Sequence, residues 1–202
     1  MMRLDHLAVT CADLGAGVAW VEAALGVRLE PGGQHAHYAT HNRLLGLGAG
    51  LYLEVIAPDP EAPAPGHPRW FGLDQAGAPR LGNWIVAVDD LGAALADAPE
   101  AGRAVALTRG ALSWQIGVPD DGGLPLGGAF PTLIAWGQGV AHPSTRLADQ
   151  GVRLTALQVK HPQAAALRGR LAALDDPRVA LAEGPVGLRA TFATPTGQAV
   201  LG

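Results

Sequence analysis

Leu4-Asp5-His6-Leu7-Ala8-Val9-Thr10, followed by Cys11-Ala12-Asp13 and the run Leu14 to Leu25, is the stretch on which the reading of the fold turns. Leu4 to Thr10 predicts a strand. Asp13 can then cap a helix, Leu14, Val18, Val21 and Leu25 recur at helical spacing, and Gly26 falls where helices usually stop. One helix face can therefore pack on a sheet while Glu22 stays in solvent. Beyond it, Val27 to Leu29, Ala36 to Leu45 and Leu51 to Ala57 read as strands bounded by Gly or Pro turn signals. The order is β, α, β, β, β.

The run from Pro58 to Arg80 carries Pro58, Pro60, Pro63, Pro65 and Pro68 among its prolines, and reads as a linker or cover loop. The same order then returns. Trp84 to Val88 is a strand, Leu91 to about Ala98 a helix, and Ala104 to Thr108, Leu112 to Val118 and Thr132 to Trp136 are strands. A shorter third unit has a strand at Leu154 to Val159, a helix near Gln163 to Leu174, and strands at Val179 to Ala182 and Leu188 to Ala193, with Gln198 to Leu201 as a last one. Repeated units that cannot close alone pair their sheets into one core, so the fold class is α+β. The modules span about 1–60, 82–138 and a partial βαββ unit at 152–202, joined by the 58–80 loop in a single domain.

The chain has 202 residues, 49% of them hydrophobic and 16% charged, enough to bury a core, and no apolar run reaches the roughly 20 residues needed to span a bilayer. No signal-type segment opens the sequence, so a soluble, cytoplasmic protein with no membrane partner is expected. The lone Cys11, at a strand end, excludes an internal disulfide framework and a cysteine metal cluster. A net charge of −4, with Lys160 the only lysine, lacks the basic footprint of nucleic-acid binding. The expected partner is a small molecule.

Several segments together resemble the glyoxalase-like domain proteins of the vicinal-oxygen-chelate (glyoxalase, bleomycin-resistance and dioxygenase) superfamily. They are Leu4 to Val9, Thr40-His41-Asn42-Arg43-Leu44-Leu45-Gly46-Leu47-Gly48, Leu51 to Ala57, Pro68 to Asp74, Arg109 to Trp114, Val118 to Gly122, Leu133 to Trp136, and His142-Pro143. The likeness covers nearly the whole chain. It implies βαβββ modules whose curved sheets form a half-barrel around a pocket, usually with a divalent metal, each module offering one ligand from its first strand and one from its last. In the first module those places match His6 and Glu54. Strand alternation supports the match independently, since His6 shares a face with Leu4 and Ala8, and Glu54 lies opposite Leu53 and Val55. Imidazole and carboxylate suit Fe, Mn, Zn or Ni. In the second module the same register falls on Trp84 and Ala135, neither of which binds a metal, leaving His37, His41 or His142 to complete a shell.

The resemblance implies Glu54 and His41 as catalytic residues, and Asn42, Arg109, Trp114 and His142 as substrate-binding ones. Each also has an ordinary structural reading: Glu54 in a buried ion pair with Arg43 or Arg80, Thr40-His41-Asn42 as a turn, Trp114 as core, and His142-Pro143 as a surface loop. His35 and His37 are expected to be exposed, and His161 before Pro162 to enter a helix. No phosphate-binding glycine loop follows Gly122-Gly123 or Gly127-Gly128, so no nucleotide cofactor is expected, and no Gly-x-Ser-x-Gly elbow occurs. Two functions stay open: a lyase, isomerase or dioxygenase acting on a small oxygenated molecule, or a non-catalytic binder of the resistance or sequestration type. Relatives often pair, so a homodimer is an expectation.

Overall fold

A computed structural model describes residues 1–202. The first module runs β1 (Met2–Thr10), α1 (Leu14–Leu25), β2 (Glu30–His35), β3 (Thr40–Gly46) and β4 (Tyr52–Pro58). The second runs β5 (Arg80–Val88), α2 (Leu91–Ala96), β6 (Arg103–Arg109), β7 (Leu112–Val118) and β8 (Thr132–Trp136). These strands make one sheet in the order β2-β3-β4-β1-β5-β8-β7-β6, curled into a half-barrel, in which the second module repeats the first about the β1–β5 junction. No helix is long and apolar enough to cross a membrane.

The two helix starts are chemically alike. Asp13 accepts from the Ala16 amide and Asp90 from the Ala93 amide, each in an Asp-Leu-Gly-Ala sequence. α1 ends at Gly26, whose left-handed backbone (φ 69°) suits a residue without a Cβ. The strand after α1 begins at Glu30 rather than Val27, because Glu22 accepts from the Leu29 amide at 2.9 Å and from Arg28 at 2.6 Å, which ties this segment to the helix. Ala36–Tyr38 is a short 3-10 turn, so β3 starts only at Thr40.

Residues beyond 150 form β9 (Arg153–Lys160), α3 (Ala164–Arg170), β10 (Val179–Ala182), β11 (Gly187–Thr194) and β12 (Gly197–Leu201), in a second sheet ordered β10-β9-β11-β12. Its wiring differs from the modules: β9 pairs in parallel with the very next strand, whereas β1 pairs in parallel with the last strand of its unit. The main core lies between this sheet and the helix-covered face of the half-barrel, joining Leu7, Val9, Trp84 and Val86 to Leu157, Ala190 and Phe192. A second, smaller cluster, including Ala8, Ile56, Ile85 and Ile134, lines the opposite, concave face.

One irregularity decides what reaches that face. The β1–β5 ladder steps from Leu4↔Val86 to His6↔Ile85, leaving Asp5 as an extra residue, and from Ala8↔Asn83 to Val9↔Leu81, leaving Gly82 extra. The bulge overturns the simple alternation expected for β1. Leu4 packs with Leu7 and Val9 in the main core, while His6 joins Ala8 on the concave side.

Candidate functional site

His6 and Glu54 meet inside the half-barrel. Each is about 95% buried, and His6 Nε2 lies 3.7 Å from Glu54 Oε2. Glu54 sits on the concave side of β4 with Tyr52 and Ile56, opposite Leu53 and Val55 of the main core, as alternation requires. Its other oxygen, Oε1, accepts from Asn42 Nδ2 at 2.5 Å on the neighbouring strand. No arginine pairs with it. The Asn42 amide is fixed in turn by the Gly33 N–H, which donates to Oδ1 at 2.7 Å. Gly32 makes this approach feasible, since a Cβ there would stand 2.0 Å from Asn42 Oδ1.

The bulge brings in Asp5, a residue the sequence reading passed over. Its buried carboxylate receives three donors: His6 Nδ1 at 2.6 Å, Trp136 Nε1 at 2.9 Å and His142 Nε2 at 3.1 Å. Burial pushes the Asp5 pKa upward, but the hydrogen bonds from His142 and His6, with the charges of both rings, outweigh it and hold the group well below the usual carboxylate range. An ionised Asp5 fixes the tautomer of each ring. His6 carries its proton on Nδ1 and turns Nε2 toward Glu54; His142 carries its proton on Nε2 and accepts from Ser144 through Nδ1. Tyr52 stacks on His6 with ring centres 4.4 Å apart, and burial pushes its phenol well above the ordinary value, so it stays protonated.

Across the cavity Arg109 Nη1 donates to His35 Nε2 at 2.9 Å, and His35 Nδ1 meets Thr40 Oγ1 at 3.2 Å. Thr40 Oγ1 also accepts from Trp70. His35 is buried rather than exposed: the bulge in the β2–β3 ladder between Pro31 and Gln34 turns it inward against Trp70 and Trp114. Burial first, and then the Arg109 charge, press its pKa down to about 3, so it is neutral.

Of the residues expected from sequence, His6, Glu54, Asn42, Arg109 and Trp114 line this one cavity, and His142 stands beside it through Asp5. His41 does not: neighbouring Asn42 on β3 points inward, so alternation sends His41 to the opposite face, beside Leu14 and Val18. His142 is not a plain surface loop, since its ring lies 5.5 Å from both Tyr52 and Trp136. The second-module ligand places are likewise not Trp84 and Ala135, whose side chains pack toward the main core. The offset that takes Asp13 to Asp90 takes Asp5 to Gly82 and His6 to Asn83. The partner of Ala8 on β4 is Glu54, and the partner of Ile85, the counterpart of Ala8, is Thr132 on β8. There Asn83 Nδ2 donates to Thr132 Oγ1 at 2.9 Å, a neutral pair where the first module has His6 and Glu54.

This donor set does not fit a resident divalent metal. Nowhere in the chain do three His, Cys, Asp or Glu side chains converge as ligands. His6 and Glu54 make two donors where structural and catalytic centres use three or four protein ligands, and the Arg109 cation faces the same cavity.

Trp70 and Phe71, from the proline-rich segment, close the cavity from outside; Trp70 stacks on Tyr38 at 4.5 Å and on Phe71 at 4.9 Å. Phe71 takes a left-handed backbone (φ 59°) that is costly for a side-chain-bearing residue. The free space among these side chains is about 30 Å³, room for a water or two.

A curled sheet of paired βαβββ modules, with a His and a Glu from the first and last strands of one module meeting on its concave face, defines a protein of the vicinal-oxygen-chelate class. The family model described as a glyoxalase-like domain matches residues 4–174, and the chain belongs to that family. A hypothetical protein from Staphylococcus aureus has a similar structure, with 14% identity over 92% of this chain and 87% of that one and a TM-score of 0.62, a likeness of fold alone. Weaker similarity extends to a methylmalonyl-CoA epimerase in complex with methylmalonyl-CoA and NH4+ (17% identity, 71% and 99% of the two chains, TM-score 0.44). The methylmalonyl-CoA epimerase from Mycobacterium tuberculosis is comparable (22%, 66% and 85%, TM-score 0.40). A search of curated proteins returns no match.

Proposed function

We propose that this chain is a proton-transfer enzyme of the isomerase or lyase type, acting on a small carbonyl-bearing molecule in the His6–Glu54 cavity without a resident metal. The observation that carries this reading is the buried series Asp5–His6–Glu54, with Arg109 facing it. A positioned base beside a carbonyl substrate needs a cation or donor where negative charge develops. The Glu54 carboxylate takes the proton from the carbon next to the carbonyl. The C–H electron pair moves into the carbonyl, and the resulting enolate oxygen is held by the Arg109 guanidinium once His35 yields it. Return of the proton, from Glu54 or through His6, to the same or the adjacent carbon completes an epimerisation or isomerisation. Asp5 keeps His6 in one tautomer and orientation throughout. Asn42 holds the Glu54 carboxylate in place.

A second reading, a non-catalytic binder, draws on the neutral Asn83–Thr132 pair in the other module. One experiment separates the two. The protein is incubated in D2O with a panel of 2-oxo acids, hydroxyketones and thioesters, while ligand binding and deuterium uptake at the α-carbon are followed by NMR. Binding with exchange supports the enzyme; binding without exchange across the panel supports the binder and overturns the proposal.

A further inference from the structure

The cavity holding His6 and Glu54 has only about 30 Å³ of free room while His142 is in place, and a cleft of about 540 Å³ lies beside it, at the end of the half-barrel where β1 and β4 begin and β5 and β8 end. Leu174 to Arg178, just beyond α3, form its far wall, and the Ala49–Leu51 turn another. The partition between the two spaces is thin. Asp5 lines the cleft and His6 the cavity; His142 lines the cleft and Pro143 the cavity; Trp136 lines both.

His142 is the part of that partition that stands outside the sheet. Asp5 and Trp136 belong to paired strands, whereas His142 stands in the segment after β8, at the start of a short 3-10 turn, with its side chain 21% exposed. Its imidazole donates to Asp5 Oδ2, while the Tyr52 and Trp136 rings lie at 5.5 Å from it on two sides. A carboxylate with aromatic rings around one position is the chemistry that recognises an N–H donor or a nitrogen cation. Here the protein's own imidazole fills that place.

We propose that the 540 Å³ cleft is the entrance to the His6–Glu54 cavity and that His142 is its plug, displaced by a ligand whose nitrogen-bearing head takes its hydrogen bond on Asp5. The inference deepens the proton-transfer reading, for which it supplies the substrate route and class: a small carbonyl compound carrying an amine or N–H group. The Trp70–Phe71 cover can then stay shut, with its strained backbone and stacked rings intact.

The plug is tested by binding, independently of turnover. Imidazole itself is the probe, titrated by calorimetry into wild type, His142→Ala and the double variant His142→Ala with Asp5→Asn, folding being checked by circular dichroism. His142→Ala is expected to bind imidazole at least tenfold more tightly than wild type, and Asp5→Asn to remove most of that gain. Equal binding by wild type and His142→Ala, no binding by folded His142→Ala, or indifference to Asp5→Asn overturns the proposal. The wild type offers a second reading that needs no variant. Methylammonium in excess should shift the ring nitrogen resonances of 15N-labelled His142 and leave those of His161 in place; an unmoved His142 contradicts the plug. Deuterium exchange at the ligand's α-carbon can succeed or fail whatever these titrations show, so the proton-transfer reading and the plug fail separately.

Discussion

Asp5 Oδ1 and His6 Nδ1 are 2.6 Å apart, although the two residues are neighbours on one strand and a regular strand would send them to opposite faces. The bulge at Asp5 is what turns both inward, and it leaves the carboxylate satisfied by His6, Trp136 and His142. Asp5→Ala strands the buried His6 donor and the part-buried Trp136 and His142 donors. It should cost about 3–5 kcal/mol of unfolding free energy, the range for breaking a buried charged network. Asp5→Asn, which keeps one acceptor oxygen, should cost less. Urea denaturation of the two variants against wild type checks the order.

Acid should weaken the fold through His35. Its folded pKa of about 3 lies below the unfolded value near 6.5, so between those limits the unfolded chain binds one more proton and stability falls as pH falls. His35→Gln should remove about 1.4 kcal/mol per pH unit of that slope between roughly pH 6 and 4. Asp5 acts in the same direction but lower: its depressed folded pKa contributes stability that is present above the unfolded carboxylate value near 3.9 and lost only below it. Urea unfolding at a series of pH values separates the two. An unchanged slope in His35→Gln would show that this ring is not the buried neutral group described.

Gly82 is the second-module counterpart of Asp5, and a Cβ there would lie 2.2 Å from Thr10 Oγ1 and 3.0 Å from Thr10 Cγ2. Gly82→Ala should destabilise by about 1–3 kcal/mol through overpacking between β1 and β5. Thr10→Ala in the same chain should recover part of the loss. Thermal unfolding of the single and double variants reads the coupling.

Most of the fold was legible because it rests on local chemistry. The Asp13 cap, Gly26 and the apolar strands marked βα followed by strands in the first module, and the return of the same apolar order marked the second. His6 and Glu54 were legible through their likeness to family positions and, for Glu54, through strand alternation. Asp5 was not, because a bulge breaks the alternation that sequence reading relies on, and nothing local in Leu4-Asp5-His6 announces it. The second-module places went to Trp84 and Ala135 for a related reason, since counting along strands loses a residue at each bulge. Aligning the two aspartate caps leads to Asn83 without the structure. His41 failed through β3 parity, one residue from the inward-facing Asn42.

Metal content offers a check on the donor set. Protein purified without an affinity tag should hold well under one equivalent of Fe, Mn, Zn or Ni, and chelator treatment should leave ligand binding unchanged. A full equivalent that disappears in His6→Ala and Glu54→Ala would place a metal between them and overturn the metal-free reading.

Glu54 is the base on which proton transfer in this cavity depends most directly. Deuterium uptake at the α-carbon of whichever panel ligand exchanges should be compared in wild type, Glu54→Gln and Arg109→Lys. Glu54→Gln should lose roughly 10²–10⁴-fold in exchange rate while still binding the ligand, and Arg109→Lys should lose less. Exchange that persists in Glu54→Gln at the wild-type rate would contradict the account.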